Sequence, residues 1–393
     1  MIQRHIRDYF KRLSGQYPVV TLTGPRQSGK TTLAKTVFKN KDYVNLEHPE
    51  TRRLAENDPV AFLKQYRKGL IIDEIQNAPE LFSYIQVEVD NTNKPGSYIL
   101  TGSSHFSFMD KINQSLAGRT ALLRLLPLSI KELIQAGMSQ ETDDYIFKGF
   151  YPRIYDKDLN PVQVLGDYIE TYVERDVRQL GQIHNLKLFE KFIRLCAGRV
   201  GQILNISSLA SDTGISHTAA SEWLSLLNAS YVTFTIEPYQ ANINKRLIKS
   251  PKLYFYDTGL ASYLLGIENM KQVATHPLRG NLFENLVVSE IVKYRYNTGR
   301  RNNLYFYRDS HGNEIDLFYM TAQRFIPIEI KSGQTIDDSY FRGFKMIEKI
   351  FTEYPFGKVL VYGGDRDVKQ NDVRIIPIDR IVAYLSDLDR KNQ

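Results

Sequence analysis

The sequence predicts an α/β protein organised around a parallel β-sheet. In the first third of the chain, short apolar runs alternate with helical stretches, a pattern typical of a parallel sheet covered by helices on both faces. A glycine-rich stretch, Gly24–Thr32, stands between the predicted strand Val19–Thr23 and the predicted helix Thr32–Phe38. A further apolar run ends in the two acids Asp73 and Glu74. Together these observations indicate a sheet that carries a glycine-rich loop and two acidic side chains along one edge.

The glycine-rich stretch carries the most specific pattern in the chain. Gly24, Gly29, Lys30 and Thr31 occupy the fixed places of G-x-x-x-x-G-K-[ST], in the strand–loop–helix context that this motif requires. Glycines let backbone N–H groups close around phosphate oxygens, and the start of the helix adds a favourable dipole. We expect Lys30 to reach the β- and γ-phosphates and Thr31 to hold Mg²⁺. The predicted nucleotide-binding residues are Gly24, Pro25, Arg26, Gln27, Ser28, Gly29, Lys30, Thr31 and Thr32.

Asp73, the first acid of the pair, ends the apolar run Gly69–Asp73, which reads GLIID, and Glu74 follows it directly. An acid at a strand tip can bind Mg²⁺ through water, and the next carboxylate can align the water that attacks a phosphate. We therefore assign Asp73 to Mg²⁺ and Glu74 to the role of base. The alternative is a strand that ends in a solvated acidic turn.

Two further residues are proposed from their positions around the next strand, Ser97–Thr101. Ser103 follows the tip of that strand and could touch the γ-phosphate or the attacking water, although a plain turn is the alternative. Arg119 closes the segment SLAGR. It could be an arginine finger that acts in cis or in trans on a neighbouring subunit, or a surface arginine.

Five segments, GPRQSGKTT, LIIDEIQ, ILTGSS, LAGR and LPLSIKEL, occur in this order. In this order they resemble a group of prokaryotic AAA+-type P-loop ATPases that are fused to a C-terminal domain of unknown function. The resemblance runs over essentially the whole chain and implies Mg²⁺-dependent hydrolysis of ATP. In those ATPases a Gly-Gly-aromatic-Pro segment lies in a helical lid near the nucleotide. Here the segment reads Gly149-Phe150-Tyr151-Pro152, with Phe150 in place of the second glycine.

The middle of the chain predicts a winged helix. Residues 206–230 read as two helices joined by a turn at Gly214, and the strand-like segment YVTFTIEPY follows. The second helix would bring His217, Thr218 and Ser221 near base edges in a major groove. A basic cluster able to bind phosphates comprises Lys245, Arg246, Lys249 and Lys252. DNA is therefore the expected partner, and the alternative is a winged helix that contacts protein.

The last part of the chain contains a second set of candidate residues. Asp316 lies on one predicted strand, and Glu329 and Lys331 share one face of the next because they are two positions apart. This D…E-x-K order, preceded by a helix that carries Glu284 and Glu290, resembles the PD-(D/E)XK nuclease fold. The resemblance implies that Asp316 and Glu329 share Mg²⁺, that Glu284 or Glu290 completes the acidic shell, and that Lys331 orients the water. The alternative is a nuclease-like scaffold that binds without cutting.

The whole-chain features set the remaining expectations. We predict four units: an ATPase core at 1–135, a helical lid at 136–195, a winged helix at 196–250 and a nuclease-like α/β domain at 251–393. The net charge of +7 permits nucleic-acid binding. Because the sequence has no apolar run long enough for a signal peptide or a membrane span, we expect a cytoplasmic protein without membrane contact. Three hypotheses remain open: an ATPase that acts on DNA; a nucleotide-controlled switch for protein partners that assembles with other subunits, a homo-oligomer among them; or a nuclease that uses ATP for gating.

Overall fold

A computed structural model gives the fold of the 393-residue chain. It describes residues 2–66, 68–102, 112, 114–173, 185–239, 250–309, 311–321, 325–351 and 357–391. Within these ranges the chain forms two β-sheets, of five and nine strands, that are separated along the sequence by a helical region.

The five-stranded sheet is parallel throughout, as the alternation of strands and helices predicts. Its strands lie side by side in the order β2-β3-β4-β1-β5. Their bounds are β1 (Val19–Thr23), β2 (Asp42–Asn45), β3 (Leu70–Asp73), β4 (Tyr98–Thr101) and β5 (Thr120–Arg124). Every residue of β1, β3 and β4 is buried, which explains why these strands read as continuous apolar runs rather than as alternating ones.

Helices cover this sheet on both faces. They are α1 (Arg7–Ser14), α2 (Lys30–Val37), α3 (Pro49–Asn57), α4 (Pro59–Lys64) and α5 (Leu81–Thr92). Phe10 of α1 and Leu33 of α2 pack with Val20 on one face. Phe62 of α4 and Ile85 of α5 pack on the other. The predicted parallel sheet with helices on both faces is therefore confirmed.

A largely helical region follows the first sheet. Its helices are α6 (Ile130–Gln135), α7 (Thr142–Lys148), α8 (Pro152–Asp156), α9 (Pro161–Tyr168), α10 (Leu186–Ala197), α11 (Ile206–Thr213) and α12 (His217–Ala229). Residues 162–180 have helical apolar spacing, and the structure is helical as far as it describes this stretch: α9 continues into a π-helical turn at Ile169–Val173, and residues 174–184 lie outside the described part. Helices α11 and α12 begin at the capping residues Asn205 and Ser216, whose side chains accept backbone N–H bonds.

The nine-stranded sheet is mixed and has the order β13-β14-β12-β11-β10-β9-β7-β8-β6. Its strands are β6 (Gln202–Ile203), β7 (Thr233–Pro238), β8 (Lys252–Phe255), β9 (Leu304–Arg308), β10 (Glu314–Met320), β11 (Phe325–Lys331), β12 (Lys358–Tyr362), β13 (Val368–Gln370) and β14 (Val373–Pro377). The later helices are α13 (Thr258–Leu264), α14 (Met270–Thr275), α15 (Arg279–Asn297), α16 (Arg342–Ile350) and α17 (Ile378–Lys391).

This sheet runs across the boundary that the sequence suggests at residue 250. β7 and β8 pair antiparallel from Thr233 opposite Phe255 to Ile236 opposite Lys252. β7 also pairs with β9 through Glu237 and Pro238. The strands that follow α12 and the strands of the C-terminal part therefore form one hydrogen-bonded sheet.

The buried carboxylate of Asp257 joins α7 and its following loop to the C-terminal part. Its Oδ1 accepts the N–H of Leu260 at 2.9 Å and caps α13. Its Oδ2 accepts the N–H of Phe150 at 2.7 Å, more than one hundred positions away in sequence. Gly149 has φ 66°, and a Cβ there would lie 2.2 Å from Asp257 Oδ1, so this close approach requires glycine.

We expect Asp257→Ala to lower the free energy of unfolding by about 2–4 kcal/mol, because a helix cap is lost and the Phe150 N–H is left unpaired. The matched control is Asn205→Ala, which removes a cap at an exposed position and should cost about 1 kcal/mol. Urea unfolding followed by circular dichroism measures both values. Equal losses in the two variants would contradict a role for Asp257 beyond capping.

Candidate nucleotide-binding site

The predicted phosphate-binding loop connects the end of β1 to the start of α2. Gly24 has φ 146°, and a Cβ there would lie 2.1 Å from the Leu125 carbonyl oxygen; Gly29 has φ 91°. The first motif glycine is thus required by a close backbone approach and the second by its left-handed conformation. Helix α2 begins directly after it, at Lys30, and leaves the N–H groups of its first turn directed at the loop.

The side chain of Lys30 is buried and folds back onto this loop. Its Nζ donates to the carbonyl oxygens of Gly24 at 3.0 Å and Pro25 at 2.8 Å. An ammonium group in this position lies over the loop where a phosphate would be held, so phosphate oxygens would replace these carbonyl partners.

Asp73 and Thr31 face each other across the carboxyl edge of the sheet. The Thr31 hydroxyl donates to Asp73 Oδ2 at 2.8 Å. Asp73 also accepts the hydroxyl of Tyr43 at 2.9 Å and that of Thr101. Burial, followed by the charge of Asp73, raises the pKa of Tyr43, so the phenol remains a donor at neutral pH. Sequence reasoning found the first two residues; Tyr43 and Thr101 were missed because their roles arise only from strand neighbours.

Glu74 lies in the same cavity as Lys30 and Thr31. It adopts the left-handed conformation, with φ 53°, directly before a 3₁₀ turn at Ile75–Asn77. This conformation is uncommon for a residue with a side chain and is enriched at functional sites. Its carboxylate accepts a hydrogen bond from Gln76 Nε2.

The cavity has a volume of about 940 Å³, and three parts of the chain supply most of its lining, with Glu47, Glu74 and Leu128 completing it. The loop and α2 supply one wall. The N-terminal residues Ile2, Gln3 and Arg7 supply a second. The third wall consists of Pro152, Arg153, Asp156 and Lys157. Pro152 belongs to the segment that the resemblance places near the nucleotide, whereas Gly149, Phe150 and Tyr151 do not line the cavity.

Arg4 connects two of these walls and was also missed by sequence reasoning. Its guanidinium donates to the Ser28 carbonyl at 2.7 Å, to the Leu126 carbonyl at 2.6 Å and to Glu132 Oε2 at 3.2 Å. Glu132 also accepts the N–H of His5 at 2.7 Å. A buried arginine with these acceptors fixes the N-terminal segment against the loop. A lone arginine near the start of a chain gives no sequence signal for such a contact.

The donor set fits a bound phosphate chain. Ser28 Oγ and Gln27 Oε1 are buried and have no hydrogen-bond partner within the described residues. Buried polar groups are rarely left unpaired, and one hydroxyl donor in this loop is thus available for a ligand. A magnesium ion fits less completely on the protein alone, because Thr31 would supply one direct oxygen ligand and Asp73 would act through water, so the phosphates and waters would have to supply the others.

Ser103 and Arg119 are the two remaining predicted residues. Ser103 lies outside the described part of the chain. The Arg119 carbonyl accepts the N–H of Val19 at 3.3 Å, so Arg119 stands at the start of β1, roughly 16 Å of strand away from the loop. This position, and the absence of Arg119 from the cavity lining, disfavour the cis alternative. Its side chain is ion-paired with Asp90 Oδ2 at 2.8 Å, which leaves the trans role and the surface arginine.

The second candidate site forms a group of buried or half-buried acids, here called the C-terminal acidic cluster: Glu284, Glu314, Asp316 and Glu329. Lys331 Nζ lies 2.8 Å from Asp316 Oδ2 and 2.7 Å from Glu329 Oε2. Three predicted residues thus meet as the D…E-x-K pattern suggests. Among the described residues, no group of three or more histidine, cysteine or acidic side chains is arranged to hold a metal ion.

The structure decides between the two helix glutamates. Glu284 Oε1 accepts Lys252 Nζ at 2.9 Å and the Tyr254 hydroxyl at 2.6 Å, next to the cluster. Glu290 points elsewhere, because its carboxylate accepts the Ile130 N–H at 2.8 Å and Lys293 Nζ at 2.7 Å. Glu290 is therefore not part of the acidic shell and instead joins α15 to α6.

The prediction that Lys252 belongs to a basic phosphate-binding cluster is wrong. Lys252 is 2% exposed, and its Nζ bonds to Glu284 and, at 2.5 Å, to Glu314 Oε1, so it cannot form part of a phosphate-binding surface. Lys245, Arg246 and Lys249 lie outside the described residues.

Burial and neighbouring charges shift the pKa values of the side chains in the acidic cluster. Burial, and then the neighbouring Asp316, raises the pKa of Glu329 well above its usual range. Burial acts to raise the pKa of Asp316 as well, but Lys331 and Lys252 bring it below its ordinary value. Burial acts to lower the pKa of Lys252, but Tyr254 and Glu284 raise it well above its ordinary value. Lys252 is thus a full positive charge at neutral pH.

The helix-turn-helix surface is not basic. His217 and Thr218 are exposed on α12, and Ser221 is half-buried. The helix, HTAASEWLSLLNA, contains Glu222 but neither lysine nor arginine. The face that would enter a groove therefore offers hydroxyl and imidazole groups but no cation for phosphates.

Comparisons with known proteins add the family. The family described as "AAA domain" matches residues 16–134, and two domains of unknown function, DUF8612 and DUF4143, match residues 139–271 and 279–381. Uncharacterised proteins of Mycobacterium tuberculosis and Mycobacterium bovis are each 30% identical over 379 residues, which cover 95% of this chain and 83% of each relative. The chain belongs to this family of AAA-domain proteins. Its N-terminal part is a P-loop ATPase domain of the AAA type, as predicted.

More distant similarities were also found. A protein of Haemophilus influenzae is 21% identical over 311 residues, which cover 71% of this chain and 75% of that protein. A Walker-type ATPase of Pyrococcus abyssi is 12% identical over 67% of this chain and 96% of its own, with a TM-score of 0.45. A RuvB variant of Thermotoga maritima is 17% identical over 59% of this chain and 89% of its own, with a TM-score of 0.29. Since both TM-scores are below 0.5, the family assignment rests on sequence.

In the part of the chain that the structure describes, every helix is too short or too polar to cross a bilayer.

We expect Arg4→Ala to weaken ADP binding about 10-fold, because loss of the charged hydrogen bond to the Ser28 carbonyl frees the loop. Titration with a fluorescent ADP analogue measures the dissociation constant. The control is Arg12→Ala, an exposed arginine of α1 that lies 4.9 Å over the ring of Tyr9 and should leave affinity unchanged. Equal affinity in a folded Arg4→Ala protein would contradict this role.

Proposed function

We propose that this AAA-domain protein hydrolyses ATP in a Mg²⁺-dependent reaction. The observation that carries the proposal is the hydrogen bond from Thr31 to Asp73 at the edge of a cavity that Thr31, Lys30 and Glu74 line. A phosphate-binding loop alone supports binding only. A metal-binding acid together with an adjacent carboxylate supplies the groups that hydrolysis needs.

The residues divide the chemistry between them. Lys30 and the N–H groups of the loop hold the β- and γ-phosphates and offset the charge that develops during transfer. Bound Mg²⁺ would be held through Thr31 and, by way of water, Asp73, and would neutralise phosphate charge. Glu74 aligns a water whose oxygen forms a bond to the γ-phosphorus while the bond to the bridging oxygen breaks, which yields ADP and phosphate. The proton of that water passes to Glu74 or to the phosphate product.

We expect Lys30→Ala to lower kcat/KM at least about 100-fold, because a cation at the transferred phosphate is lost. Glu74→Gln should lower kcat about 100-fold or more while leaving ATP affinity close to that of the wild type, because the amide keeps the shape of the side chain but cannot accept a proton. Steady-state phosphate release and equilibrium binding measure these values.

The control for this pair is Lys39→Ala, which changes an exposed lysine just after α2 and should turn over normally. Wild-type turnover by Glu74→Gln would move the base to another residue.

We propose further that nucleotide state changes how the ATPase core and the C-terminal part are arranged. What supports this is the third wall of the cavity, Pro152 to Lys157. That wall begins two residues after Phe150, whose N–H donates a hydrogen bond to Asp257. A ligand that contacts both the loop and this wall would therefore change the position of a segment that is hydrogen-bonded to the C-terminal part. The protein would then act as a nucleotide-controlled switch, with Arg119 offered in trans if the chain forms a homo-oligomer.

DNA is the second candidate for what hydrolysis acts on. The arrangement of α11, the left-handed Gly214 turn and α12 supports it, because this is the geometry of a helix-turn-helix. The absence of lysine and arginine from α12 weighs against it. The C-terminal part is proposed to have a nuclease-like fold on the strength of Asp316, Glu329 and Lys331.

The ATPase rate with Mg²⁺ should be measured alone and with single-stranded, duplex and branched DNA, with Lys30→Ala as the blank. If DNA is the partner, one form should stimulate the rate several-fold, and the stimulation should fall as salt rises. A rate that is indifferent to every form, together with a change of molecular size between ATP and ADP, would favour the switch for protein partners.

A further inference from the structure

The C-terminal acidic cluster contains a cation that does not belong to the D…E-x-K pattern. Lys331, the lysine of that pattern, already bridges Asp316 and Glu329. Lys252 arrives from a different strand, β8, which pairs with β7 rather than with β10 or β11. Its Nζ lies between Glu284 Oε1, at 2.9 Å, and Glu314 Oε1, at 2.5 Å.

The charges around this lysine nearly balance. Four carboxylates, Glu284, Glu314, Asp316 and Glu329, face two lysines, and Arg308 also pairs with Glu314, at 3.1 Å. Burial of such groups without partners is costly, so the lysine stabilises carboxylates that would otherwise repel one another. The hydroxyl of Tyr254, also on β8, completes the contacts of Glu284.

We infer that the ammonium group of Lys252 is the resident cation of the C-terminal acidic cluster and stands where a nuclease-like domain would hold a divalent metal ion. This inference rests on the proposed nuclease-like fold. It means that the residues present do not fit the metal that such a fold implies.

The contacts of Glu284 oppose simultaneous binding of Lys252 and a metal ion. A magnesium ion would require the carboxylate oxygens of Glu284 and its neighbours at about 2.0–2.1 Å. One of these oxygens, Glu284 Oε1, already accepts both Lys252 and Tyr254. Lys252 is tethered in a paired strand and is 2% exposed, so an ion would have to displace a buried charge from its carboxylate partners.

The same contacts suggest what the cluster does instead. Lys252 and Tyr254 are carried by β8, Glu284 by α15, and Glu314 by β10. The ion pairs therefore hold the hairpin of β7 and β8 against the helix and strand of the C-terminal part, and the cluster acts as a joint between them rather than as a cutting site.

Binding of Mn²⁺ to the nucleotide-free full-length protein tests this inference. The fraction of free Mn²⁺ is measured by electron paramagnetic resonance for the wild type, Glu284→Gln, Lys252→Met and the double variant Lys252→Met/Glu284→Gln. We expect the wild type and Glu284→Gln to bind the same number of ions. Lys252→Met should bind one additional ion per chain, and the double variant should lose it again.

The matched control is Lys358→Met. Lys358 is another buried lysine that pairs with two carboxylates, Glu348 and Asp372, outside the cluster. Its loss should add no bound ion, which shows that removal of a buried lysine does not by itself create a metal site. Circular dichroism establishes that each variant is folded.

Two results would overturn the inference: an ion bound by the wild type and lost in Glu284→Gln, or a folded Lys252→Met protein that gains none. If Lys252→Met does not fold, the comparison of the wild type with Glu284→Gln decides alone. Plasmid cleavage by the wild type that Asp316→Ala removes would uphold the nuclease-like domain and overturn the resident lysine. ATP turnover is measured separately, so a failure of the proposed ATPase would be recognised independently.

Discussion

The contact between the Thr31 hydroxyl and the Asp73 carboxylate depends on one constraint, the parallel alignment of β1 and β3 on either side of β4. In a parallel sheet the carboxyl ends of all strands meet at one edge. The loop after β1 and the acids at the end of β3 are therefore brought together, although more than forty positions separate them in sequence. Tyr43 from β2 and Thr101 from β4 reach Asp73 at the same edge. The site thus inherits its geometry from the sheet and not from the loop alone.

Around this edge, the cavity depends on segments far apart in the chain. Arg4 holds the N-terminal segment to the Ser28 carbonyl, and Glu132 receives both Arg4 and the N–H of His5. On the opposite side, Asp257 anchors the backbone of Phe150 just before the wall that begins at Pro152. Both anchors are buried carboxylates that satisfy several donors, which makes them costly to remove. The cavity wall that begins at Pro152 therefore follows a backbone segment that is hydrogen-bonded to the C-terminal part of the chain.

In the C-terminal acidic cluster, the additional charge of Lys252 changes what the D…E-x-K pattern indicates. Asp316, Glu329 and Lys331 come together as their spacing on adjacent strands predicts. Lys252 is delivered from β8 by the pairing of β7 and β8, and it places a positive charge between Glu284 and Glu314. The pattern of acids alone would indicate a metal site. With the lysine included, the same acids form a charge-compensated contact between a hairpin, a helix and a strand.

The sequence by itself determined the parallel sheet and the phosphate-binding loop, because glycine conformation and apolar patterning act over a few neighbouring residues. It also determined membership in a family of AAA-domain ATPases. Only the tertiary structure decided that Glu284 and not Glu290 joins the acidic cluster, that Lys252 is buried, that Arg119 lies at the far edge of the sheet, and that Arg4 supports the loop. Each of these depends on contacts between residues that are distant in sequence, where local patterns carry no information about which side chains meet.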